Sequence, residues 1–127
     1  MIIDTAYTIT RADLVAYANA SGDQNPIHQD ELAAKAAGLP DVIAHGMYTM
    51  GLGARALTAW AGSEDAILEY TVRFAKPVVV PAEGGAEVRI TGEIRKELED
   101  GLVEVNLTVT CGGEKVLAPA RATVRKP

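Results

Sequence analysis

From Ile67 to the C-terminus, apolar residues recur at every second position, the period of a β-strand that turns one face inward. Segments Ile67–Phe74, Val78–Val80, Ala86–Ile94, Leu102–Cys111 and Val116–Val124 read as strands. In the clearest of them Val103, Val105, Leu107 and Val109 alternate with Glu104, Asn106, Thr108 and Thr110, so one face is apolar and the other polar. Gly84-Gly85, Asp100-Gly101 and Gly112-Gly113 punctuate the run, and Asp-Gly is a strong two-residue hairpin signal. Strands joined by such turns are antiparallel, and a sheet with one apolar face needs something to cover it.

The cover is to be found upstream. His45–Ala61 is the longest helical pattern, with Met47, Met50, Ala54, Leu57 and Ala61 on one stripe and Trp60 placed to close the core at its end. Gly51, Gly53, Ala54, Ala56, Ala59 and Ala61 leave it with little side-chain bulk, which predicts a helix enclosed by close neighbours. Before it, Ile2–Ile9 reads as a strand, and Thr10 with Asp13 as a capping box opening a helix that ends at Ser21-Gly22. Asn25 is an N-cap candidate for an alanine-rich helix from Pro26 to about Ala37, stopped by Gly38. The expectation is an α+β chain, one domain over residues 1–127, with a curved antiparallel sheet wrapped around a central helix: the hot dog arrangement.

Net charge −5, with no block of Lys or Arg, argues against nucleic acid as a partner. No apolar run approaches the ~20 residues of a membrane helix. The opening Met1-Ile2-Ile3-Asp4 has neither the basic nor the apolar region of a secretion signal, and Cys111 has no second cysteine to pair with. An unprocessed cytoplasmic protein is therefore expected, with Cys111 acting as a small apolar strand residue. An anionic ligand would need a local basic patch on this acidic surface, drawn from Arg55, Arg73, Lys76, Arg89, Arg95 or Lys96.

The two histidines, His28 and His45, both fall beside the helices rather than in the strands. Imidazole moves protons in either direction near neutral pH. Asp23 lies across a Pro26-containing turn from His28, so both side chains can address one point, where a water could be held. Asn25, if its side chain is not consumed as a cap, could hold Asp23 or that water. Gly46 opens the long helix, whose first N–H groups have no internal acceptor, and the missing side chain leaves room for a carbonyl oxygen. Other readings stay open. Asp23 and Asn25 are ordinary turn residues, His28 suits a solvated helix start, and Asp23, His28 and His45 could be metal ligands, though none of their pairs has the short helical spacing of familiar zinc sites.

Ser21-Gly22-Asp23-Gln24-Asn25-Pro26-Ile27-His28, followed by Ile43-Ala44-His45-Gly46-Met47, resembles the hydratase signature of the MaoC-like hot dog hydratases and dehydratases. Tyr70-Thr71-Val72-Arg73-Phe74 with Lys76-Pro77-Val78 is similar to the strand that follows the central helix there. Within the family the chain most resembles the catalytic B subunits of actinobacterial (3R)-hydroxyacyl-ACP dehydratases. The resemblance implies a reversible R-specific hydration of trans-2-enoyl thioesters, on acyl-CoA or acyl-ACP, in fatty acid metabolism, without metal or organic cofactor. It makes Asp23 and His28 the catalytic pair, the Gly46 amide the carbonyl donor, and Asn25 and His45 supporting residues. It also implies a homodimer or a heterodimer with a sibling hot dog subunit. Relatives usually carry a lead-in segment before the first strand, so the N-terminal edge is expected to differ here. A thioesterase and a noncatalytic acyl-binding subunit are the alternatives on the same fold.

Overall fold

The computed structural model describes all 127 residues. The chain runs β1 (Ile3–Ile9), α1 (Arg11–Ser21), a single 3₁₀ turn (Pro26–His28), α2 (Glu31–Ala36), α3 (Gly46–Ala61), a second 3₁₀ turn (Glu64–Ala66), then β2 (Ile67–Phe74), β3 (Ala86–Glu97), β4 (Leu102–Cys111) and β5 (Glu114–Arg125). The strands form one antiparallel sheet in the order β1-β3-β4-β5-β2. Val103, Val105, Leu107 and Val109 are all buried, as their alternation demands. They join a core of 23 buried residues that includes Leu52, Ala56 and Leu57 of α3. This is the hot dog arrangement.

The local signals behave as their chemistry requires. Thr10 and Asp13 form a reciprocal capping box on α1. Asp100 and Gly101 both take positive φ, 62° and 74°, the geometry of the tight hairpin turn between β3 and β4. Arg11 ties the segments before α3 to the stretch between β2 and β3. Its Nε donates to the Val80 carbonyl at 2.6 Å, and its guanidinium pairs with Glu31 and Asp41.

Three expectations change. The alanine-rich segment is two pieces rather than one helix, because Asp30 supplies its own N-cap, accepting from the Leu32 amide at 2.9 Å, and starts α2 afresh. Val78–Val80 is not a strand of the sheet. Bounded by Pro77 and Pro81, which have no N–H to give a ladder, it pairs only through Val79 with Ile43 in the loop before α3. The helix α3 is not enclosed: its buried residues are Thr49, Leu52, Gly53, Ala56 and Leu57, whereas Gly51 and Ala59 are exposed and Met47 is 60% exposed. The branched side chains Leu52 and Leu57 turn inward, which carries Met47 out of the core. Trp60 does pack against the core.

Cys111 is half-buried at the end of β4, where desolvation and the nearby Glu87 push its thiol up from the usual range. That suppresses the thiolate, in keeping with a packing role.

Candidate active site

The site begins where α1 ends. Gly22 takes φ 83° as the left-handed cap of α1, and the chain then turns on its own short polar side chains. Ser21 Oγ accepts from the Asp23 amide at 3.1 Å, Asp23 Oδ1 from the Asn25 amide at 3.1 Å, and Asn25 Oδ1 from the Ile27 amide at 3.2 Å. Asp, Asn and Ser build turns by this chemistry. Asn25 is thus spent as a cap through its side chain, while its backbone N–H holds the Asp23 carboxylate. The 3₁₀ turn then carries His28 inward, leaving it 8% exposed, while Asp23 remains at the surface.

Asp23, His28 and His45 come together: one side-chain donor or acceptor atom from each lies within 4.8 Å of the others. Both tautomers follow from the partners, since a carbonyl oxygen only accepts. His28 Nδ1 donates to the Ile43 carbonyl at 2.7 Å, which leaves Nε2 as the free base. His45 Nε2 donates to the Asp23 backbone carbonyl at 3.1 Å. The two rings stack with centroids 3.9 Å apart and planes 25° from parallel, and Tyr17 closes against His45 at 4.7 Å. His45 Nδ1 is buried without a hydrogen-bond partner, so this ring is held by stacking and by one bond. Stacked rings direct their in-plane lone pairs side by side rather than toward one shared point, so the three residues fit a proton-transfer cluster better than a metal centre.

His45 is the N-cap residue of α3 and offers no side-chain cap. Its carbonyl accepts the Tyr48 and Thr49 amides, while Gly46 and Met47, the first two residues of the helix, have no carbonyl upstream within it to take theirs. Gly46 therefore presents a donor at the positive end of the helix dipole. The ring of Phe74, at the end of β2, lies against it: a Cβ on Gly46 would sit 3.0 Å from the ring.

On one side of this contact is a largely apolar cavity of about 280 Å³ lined by His28, Thr49, Val78, Val116 and Leu117 among others. On the other is a cleft of about 430 Å³ lined by Tyr17, Ser21, Asp23, His45 and Met47. Of the six basic residues named above, Lys76 alone lines the His28 cavity, where it pairs loosely with Glu114. Arg55 lies over the Tyr7 ring, Arg89 pairs with Asp4 and Arg95 with Glu104. Sequence reasoning left out Tyr17, Thr49 and Phe74. Tyr17 and Thr49 carried only helical or buried signals, and nothing local in Phe74 points to a glycine far upstream.

Residues 3–112 match the family described as the MaoC like domain. The chain is similar to 3-hydroxyacyl-thioester dehydratase X of Mycobacterium tuberculosis, 49% identical over 80 residues, covering 63% of this chain and 28% of that protein. It is also similar to the (R)-specific enoyl-CoA hydratase of Rhodospirillum rubrum, 32% identical over 123 residues, covering 96% of this chain and 83% of the relative. A solved structure titled MaoC-like dehydratase superposes with a TM-score of 0.94 at 43% identity, over 98% of this chain and 38% of the other. The chain thus spans well under half the length of the first and the last of these three. No helix is long and apolar enough to cross a membrane.

Proposed function

This chain belongs to the MaoC-like domain family, and from that premise we propose that it interconverts a trans-2-enoyl thioester and its (3R)-hydroxyacyl thioester, on coenzyme A or an acyl carrier protein. The observation that carries the reading is the convergence of the Asp23 and His28 side chains beside the opening amide of α3, with Nδ1 of His28 bonded to a carbonyl and Nε2 left free. In the hydration direction a water lies between Asp23 and His28. His28 Nε2 takes a proton from it as its oxygen bonds to Cβ, Asp23 orients it by accepting its other hydrogen in a hydrogen bond, and His28 Nε2 then delivers the proton it took to Cα. Negative charge passes to the thioester oxygen, which the Gly46 N–H receives. His45 positions the pair by bonding the Asp23 backbone and stacking on His28. In dehydration the same groups remove the Cα proton and release the β-hydroxyl as water.

This reading further assigns the chain one domain, the cytoplasm, and a second hot dog subunit, either another copy or a noncatalytic sibling. Apolar side chains support the partner: Met47 and Leu68 stay more than half exposed on the opening turn of α3 and on the edge strand β2.

Mixing the protein with crotonyl-CoA and following the enoyl absorbance tests the function. The expected result is loss of absorbance that requires His28 and yields the R product. Absorbance that persists alone and with copurified partners, or free thiol released from saturated acyl-CoA instead, would overturn it.

A further inference from the structure

We propose that the Phe74 side chain is the partition that sets the length of acyl chain the site accepts; this rests on the thioester reading above. His28 lines the apolar cavity and Asp23 the open cleft, and the two spaces have only Gly46 and Phe74 in common. A substrate served by both acid/base groups must lie across that boundary. Gly46 has no side chain, so the Phe74 ring is the one side chain that lines both spaces, in contact with the glycine whose amide would hold the thioester.

The ring has little to fix it there. Phe74 is the last residue of the edge strand β2, it follows a register shift after Val72, and it is 53% exposed with no polar atom to anchor it. Half-exposed aromatic side chains change rotamer quickly. With the ring in place, the His28 side offers about 280 Å³, near the lower limit of pockets that enclose small ligands and suited to a short acyl chain. With the ring withdrawn, that space opens into the neighbouring cleft of about 430 Å³.

The test compares wild type, Phe74→Leu and Phe74→Ala on short and long substrates. Turnover is read with crotonyl-CoA and trans-2-dodecenoyl-CoA, and dissociation constants with butyryl-CoA and dodecanoyl-CoA. In Phe74→Ala the long-to-short ratio of kcat/KM is expected to rise about tenfold or more, the scale of lost or gained methylene contacts. Phe74→Leu should fall between, and the ratio of dissociation constants should move the same way. Phe74→Leu keeps an apolar side chain on the strand and carries the comparison if Phe74→Ala folds poorly. Ratios that stay within about twofold of wild type in both variants would overturn the proposal. Wild-type protein that turns over neither enoyl substrate would break the hydratase reading instead, and the binding ratios would still decide the role of Phe74.

Discussion

Two aromatic residues of β2 meet two glycines of α3, and the meetings differ in kind. In the middle of the seam Tyr70 lies over Gly53, where any Cβ would collide with the phenol oxygen, and its hydroxyl donates to the Met50 carbonyl at 2.8 Å. Burial pushes that phenol up to about 12. Toward the site, Phe74 lies over Gly46 with no hydrogen bond and half its surface exposed. Both glycines let a ring approach a helix. Only the first contact is pinned by a polar handle, so the seam is rigid where it holds the sheet to the helix and adjustable where the reacting groups gather.

If the two ends are divided in this way, chemistry and stability should be lost separately. The largest effect is expected at the site. Asp23→Asn keeps the size of an exposed side chain but removes its charge, and should lower kcat by ~10² to 10⁴ with the thermal midpoint nearly unchanged. A large fall in midpoint would show that Asp23 serves the fold. At the other end Gly53→Ala forces the Tyr70 ring away from α3. A loss of roughly 1–3 kcal/mol in denaturant unfolding is expected, with turnover per folded molecule largely kept. Selective loss of turnover at full stability would erase the distinction.

Tyr70→Phe sharpens the comparison by giving the middle contact the chemistry of the outer one. The Met50 carbonyl keeps its helical partner, so the loss should be about 0.5–1.5 kcal/mol. The pH dependence is more diagnostic. The folded-state value is raised above the ordinary phenol value of 10, so the folded state holds the proton more tightly than the unfolded chain. That contribution is complete below pH 10 and is lost as pH rises toward 12. Wild type should therefore lose stability through this window faster than Tyr70→Phe, and parallel curves would remove the anchored phenol from the account.

Much of this was legible in residue order. Four of the five strands of the sheet follow from period two and β1 from its run of β-forming residues, the β3–β4 hairpin from Asp100-Gly101, and the meeting of Asp23 with His28 from a turn built of Ser, Asp, Asn and Pro. These are short-range matters, settled within a few residues. The inward face of α3 was legible only at Leu57, because a stripe running from Met47 and Met50 to Leu57 is as good a helical pattern as one running from Leu52 and Ala56 to Leu57, and only the fit against the sheet decides between them. Nor was the Phe74 contact, which depends on how far an edge strand runs past a helix it joins through a separate turn.

Gly51 provides the smallest and cleanest contrast, because it lies on the same helix between the two contacts and nothing stands within 4 Å of where its Cβ would be. It has an ordinary helical backbone and an exposed position, so alanine there costs no packing and reduces the freedom of the unfolded chain. Gly51→Ala should raise stability by roughly 0.5–1 kcal/mol, the helical preference for alanine over glycine. Gly53→Ala, two positions along, should do the opposite, and the difference between them is the contribution of the Tyr70 contact freed of propensity. If Gly51→Ala is instead destabilising in the assembled protein but not at concentrations where the chain is a monomer, the open face of α3 is covered by a partner. The missing side chain at Gly51 then serves that approach as the one at Gly53 serves Tyr70.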